Sequence, residues 1–214
     1  MDMPVVQYTS IAILAVAFFS QFWKINISRA VMARRIFWGA VLLIAFLLGY
    51  YSYLQYHLWQ SGAFTKIFLS DGAAYFLSYV TMRFWAQYFV SFGMALVFFW
   101  MAKNYNRRQG EKFFYPEEPY FLALGIFLAG QPLWIVYILA VIVLYTFFSI
   151  GYNLWSRRRR KTESTDNLIN IPPARVSFYY GWIPTALLVI LIKGTITAIP
   201  LFSILVFSAN QLII

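Results

Sequence analysis

The chain has 214 residues, 62% of them hydrophobic and 11% charged, with seventeen Lys and Arg against seven Asp and Glu for a formal net charge of +10. Soluble domains are about half apolar and about one quarter charged, and a fold of this size cannot hide so much apolar side chain from water, so a soluble globular enzyme and a disordered chain are excluded. The absence of cysteine excludes disulfides, thiolate metal sites and a cysteine nucleophile.

What remains is an all-α polytopic transmembrane helix bundle, a single integral membrane domain over residues 1–214. A helix crossing a ~30 Å hydrocarbon core needs about 20 mostly apolar residues. Stretches free of Asp, Glu, Lys and Arg therefore mark the candidate elements. The first is Met3–Trp23. Its start lacks the basic region of a cleavable signal, so a retained helix is expected. The second is Ile36 to about Tyr56 and the third Phe84–Ala102. Between them, 57–83 contains His57, Gly62, Lys66, Asp71, Gly72 and Arg83 and reads as an excursion outside the membrane.

A long apolar stretch follows from Pro119 to Ser156. As one helix it would measure ~57 Å, nearly twice the core. Gly130-Gln131-Pro132 supplies a break, because glycine ends helices and proline cannot continue one. Two helices are expected, Glu117–Ala129 and Leu133–Trp155, the first short for a span. Val176–Ile192 and Gly194–Ile214 complete the set, for six to seven membrane helices.

Charge supports the break. The gap 24–35 holds Lys24, Arg29, Arg34 and Arg35; the gap 103–118 holds Lys103, Arg107, Arg108 and Lys112. The gap 156–175 holds Arg157, Arg158, Arg159, Arg160, Lys161 and Arg175. With a break at Pro132 all three fall on one side, as the positive-inside rule requires. The expected location is a cytoplasmic-type inner membrane, with the N-terminus outside and the basic loops cytoplasmic. This placement explains the positive charge without nucleic acid as a partner. Arg157, Arg158, Arg159, Arg160 and Lys161 are expected to anchor orientation and to sit near anionic lipid headgroups. Clustered aromatics, including Tyr179, Tyr180 and Trp182, are expected in the interfacial belt.

The seven acids can be weighed singly. Asp2 is terminal, Asp71 lies in the excursion, and Glu163 and Asp166 sit in a polar loop. Glu111 lies among basic residues. Glu117 and Glu118 open the short helix at the basic face, where an acid favours the helix N-terminus and where a near-membrane acid is a candidate for function. One histidine and scattered acids form no metal cluster, there is no phosphate-binding glycine loop, and no cofactor is implied.

The stretch Glu118-Pro119-Tyr120-Phe121-Leu122-Ala123-Leu124-Gly125-Ile126-Phe127-Leu128-Ala129-Gly130, the basic run Arg157–Lys161 and the segment Val176-Ser177-Phe178-Tyr179-Tyr180-Gly181-Trp182-Ile183-Pro184 resemble the core of the type IV prepilin and preflagellin peptidases. The resemblance covers about residues 5–192 and leaves 194–214 as an additional hydrophobic segment. It implies an aspartic endopeptidase fold working at the cytoplasmic membrane face. Such chemistry needs two carboxyl groups sharing a proton. The aspartate of the family's Gly-x-Gly-Asp motif falls on Glu118, and the motif glycines on Tyr115 and Glu117. The other aspartate should lie within 23–35, which contains no acid.

Three functions follow as expectations. The first is a catalytically degenerate peptidase-like core that binds a membrane partner, such as a prepilin-like helix. The second is an active endopeptidase in which Glu118 pairs with Glu117 or Glu111. The third is a small accessory subunit of a larger membrane complex. In each, the lipid bilayer is the surrounding partner.

Overall fold

The computed structural model describes residues 4–22, 28–62, 73–111, 113–160 and 178–193. The molecule is all-helical, and no strand occurs among the described residues. Helix α1 is Pro4–Phe22 and α2 is Arg29–Ser61. Helix α3, Ala73–Val80, passes through a π-helical turn, Thr81–Trp85, into α4, Ala86–Arg108. Helices α5, Glu118–Ala129, and α6, Leu133–Arg160, follow, and α7 is Trp182–Leu191.

Four helical segments are long and apolar enough to cross a membrane: Val5–Phe22, Arg29–Ser61, Ala74–Arg108 and Leu133–Tyr152. Helices α5 and α7 are apolar but shorter. The segment 194–214 lies outside the described residues.

The helix break at Gly130–Pro132 is present. Helix α5 begins with Pro119 in its first turn, where a missing N–H has no intrahelical partner to lose. It stops at Gly130, whose φ of 74° and ψ of 171° suit glycine alone. The chain reverses there and resumes as α6, with the Trp134 N–H donating to the Gly130 carbonyl at 2.9 Å.

Within the expected excursion over 57–83, residues 57–61 and 73–83 are helical. Helix α2 continues to Ser61, and helix resumes at Ala73; residues 63–72 lie outside the described residues. Nothing before Gly62 breaks a helix, and residues 73–83 contain neither glycine nor proline. The two arms pack through Trp59 against Tyr75, Phe76 and Tyr79, with ring centroids 5.0–6.1 Å apart. The Trp85 indole donates to Ser52 Oγ at 3.1 Å. The expected segment Val176–Ile192 is helical only from Trp182 among the described residues. Residues 178–181 form a turn, with the Gly181 N–H donating to the Phe178 carbonyl at 2.7 Å, and α7 begins at Trp182.

Helix α5 is the centre of the bundle. Every residue from Glu118 to Ala129 is buried except Tyr120, which is half-buried. It packs against α4 most extensively, then α7, α6, α2 and α1. At ~18 Å it is about half a span long, and its neighbours shield it where its length alone would not suit lipid.

The contacts also fix which ends meet. Gln7 Nε2 donates to the Ile190 carbonyl at 3.4 Å and Gln21 Nε2 to the Tyr179 carbonyl at 3.2 Å, so α1 and α7 run antiparallel. Arg29 at the start of α2 lies over the Tyr179 ring. Phe99, near the end of α4, packs on Tyr120 near the start of α5. Tyr145 and Phe148 of α6 pack on Phe178. The basic termini of α2 and α4 and the C-terminal half of α6 therefore share one end of the bundle.

Candidate functional site

That shared end holds the buried polar side chains singled out by the sequence. The loop leading into α5 is set by Asn106, which is 8% exposed. Its Oδ1 accepts the N–H groups of Phe113 and Phe114 at 3.1 and 3.0 Å. Its Nδ2 donates to the Phe114 carbonyl at 2.9 Å. One side chain thus replaces the strand or helix partners that a loop backbone lacks. Gly110 and Glu111 both adopt positive φ, 66° and 58°, to make the turn.

Glu117 and Glu118 then enter the interior. Glu117 takes the N-cap position of α5 without a side-chain capping hydrogen bond and is 7% exposed. Glu118 is 1% exposed, and its Oε2 accepts the Trp182 indole N–H at 3.2 Å. A carboxylate placed there without donors would carry a large desolvation cost, so the indole ties the start of α5 to the start of α7. Trp182 is itself clasped by the Phe178 ring, edge-on at 5.4 Å.

Tyr179 completes the cluster. Burial raises its phenol to about 12, the nearby Glu117 charge adds to that rise, and the Arg29 guanidinium partly offsets it. Arg29 lies 5.9 Å from the ring centroid. Gln21, from the end of α1, is 1% exposed and holds the Tyr179 carbonyl, while its buried Oε1 has no hydrogen-bond partner among the described residues.

The sequence-derived site residues divide accordingly. Glu117 and Glu118 are both buried at this end, while Glu111 is exposed in the preceding turn. Arg157, Arg158, Arg159 and Arg160 are the last residues of α6; Lys161 lies outside the described residues. Tyr179 and Trp182 are not interfacial belt residues, since both are buried within the bundle; Tyr180 is exposed and stacks on Phe22. Sequence reasoning passed over Asn106, Gln21 and Arg29 as parts of the site. The available signal was a glutamine two residues from the end of an apolar segment.

Chemically, the cluster offers adjacent acids rather than facing ones. Residues i and i+1 of a helix project about 100° apart, a poor arrangement for sharing one proton. No group of three or more His, Asp or Glu able to hold a metal occurs among the described residues. Comparison with models of known protein families, with curated proteins and with solved structures finds no match to this chain.

Proposed function

We propose that this chain is an integral membrane protein built on a prepilin-peptidase-like helical core that binds a membrane-embedded partner and does not cleave it. In this reading six to seven segments lie in an inner membrane, with the short α5 and α7 and the segment 194–214 joining the four longer helices. The N-terminus is outside and the basic end cytoplasmic.

The carrying observation is the environment of Glu118. It occupies the place of the family's motif aspartate, yet it is 1% exposed and engaged by the Trp182 indole. An acid that activates water must reach water and a second carboxyl group. The 23–35 segment that supplies the second group in the family has none. The partner is a prepilin-like helix, held at the basic end.

Incubation of the reconstituted protein with prepilin-like substrates tests this. The expected result is a photo-crosslink from a probe at the exposed Tyr180, with the substrate intact. Cleavage that disappears in Glu118→Gln would overturn the reading in favour of an active endopeptidase with an altered acid pair.

A second reading, an accessory subunit of a larger complex, is favoured by α6. Its residues from Ile142 to Phe148 are all exposed, as are Ile150, Leu154 and Trp155. Crosslinks from Phe147 to a stable co-purifying membrane protein, with none from Tyr180 to substrate, distinguish it.

A further inference from the structure

A groove opens between α2, α4 and α5. It has a volume of about 250 Å³ and is lined by Arg34, Phe37, Trp38, Leu96, Phe99 and Tyr120. Tyr120 lies two residues from Glu118, about 200° round the helix, so the Glu118 side chain projects away from this groove.

The two walls share a pattern. On α2, Arg34 precedes Phe37 and Trp38 by three and four residues; on α4, Lys103 follows Phe99 and Leu96 by four and seven. Those spacings put each cation on the same helix face as its apolar residues. Because α2 starts and α4 finishes at the basic end, both cations lie at the same mouth of the groove. Lys103 is 5.8 Å from the Phe99 ring centroid, which places its ammonium over a groove wall. Tyr120 packs on Phe99 with ring centroids 4.8 Å apart. Among the described residues, neither Arg34 nor Lys103 forms an ion pair.

We propose that this groove binds a phospholipid with an anionic headgroup, its phosphate between Arg34 and Lys103 and one acyl chain against Phe37, Trp38 and Leu96. The charge at the mouth and the apolar aromatic walls behind it match the two ends of such a molecule. Arg supplies a planar fork of donors for phosphate, and Lys a point charge. The walls are too apolar for a free inorganic anion to fill, and the cation on each of the two flanking helices distinguishes the groove from a surface wetted by any lipid. The proposal does not depend on the peptidase-like reading; it needs only that the apolar helices lie in a bilayer.

Trp38 provides the readout. The protein is reconstituted into phosphatidylcholine vesicles containing acyl-brominated phosphatidylglycerol or acyl-brominated phosphatidylcholine. Fluorescence quenching is measured for the native chain and for Trp38→Phe, whose difference isolates the groove. The expected Trp38 quenching favours the anionic lipid by about fivefold for each cation engaged. It falls to parity in the Arg34→Gln/Lys103→Gln double variant. Arg83→Gln, at the other end of the α3–α4 rod, retains the selectivity. Equal quenching by both lipids in the native chain, or selectivity that survives the double substitution, overturns the proposal. If the double variant does not fold, salt decides: headgroup selectivity of the native chain that does not weaken as ionic strength rises is equally fatal.

Discussion

A carboxyl group at 1% exposure must be satisfied by the protein, and for Glu118 the Trp182 indole is a donor at 3.2 Å. Glu118→Gln keeps an oxygen acceptor and nearly the same volume, whereas Glu118→Ala removes the acceptor and leaves the indole N–H buried. The alanine variant is expected to lose about 1–3 kcal/mol more than the glutamine variant, read by thermal unfolding in detergent. Equal losses would show that the hydrogen bond contributes nothing. Tyr179 gives a pH prediction. Its phenol is held up at about 12 against an ordinary 10.0, so the folded state keeps a proton that the unfolded chain releases. Its contribution to stability is full below about pH 10 and falls as pH rises toward 12. In an alkaline absorbance titration, Tyr179→Phe should remove a phenolate step near 12; removal of a step near 10 contradicts the assignment. At this scale the sequence marked Glu117 and Glu118, because acids are scarce and these two begin a helix. It did not identify their neighbours. Trp182 is 64 residues from Glu118, and Gln21 is 158 from Tyr179, and pairs so distant are set only by how the helices assemble.

Gly125 of α5 lies directly against the Tyr137 ring of α6. A Cβ there would overlap the Tyr137 ring, and Tyr137 is fully buried with its hydroxyl donating to the Trp182 carbonyl at 3.3 Å. Gly125→Ala must push a ring that has nowhere to go, and a loss of about 1–3 kcal/mol is expected. In a Tyr137→Leu background the same substitution should cost less, a coupling that a double-mutant cycle of unfolding midpoints measures. Strictly additive losses would mean that the ring is not the obstacle. The α5–α6 break was legible because its cause is local: glycine and proline act on their own backbone. Expected ends at Ala129 and Leu133 match the observed ones. The ends of α2 and the start of α3 were not legible by the same route. Counting charges finds where an apolar stretch stops, but Lys, Arg and His do not stop a helix, so α2 begins at Arg29 and passes His57.

Fourteen of the seventeen basic residues lie in the three gaps assigned to one side, and those described that flank α2 and α4 meet at one end of the bundle. The chain has no cysteine, so single cysteines at Ser61, Gln109 and Ser164 can report sidedness in intact cells treated with an impermeant thiol reagent. Only Ser61→Cys should react. Labelling of Ser164→Cys without Gln109→Cys would put the two ends of the α5–α6 hairpin on opposite sides and remove the peptidase-like helix order. Gln109 suits the purpose because it is exposed, whereas the nearby Asn106 holds the loop. The sheathing of α5 has a further meaning for how the protein is made. A helix of about half a span gains little by entering lipid on its own, and two of the helices that cover it, α6 and α7, follow it in the chain. During synthesis α5 must wait, with its first acid not yet reached by the indole of Trp182, until some sixty further residues have emerged. Among the described residues the bundle therefore closes last around its middle, when α7 settles between α1 and α6, and a nascent chain halted before that point would leave the start of α5 without that cover.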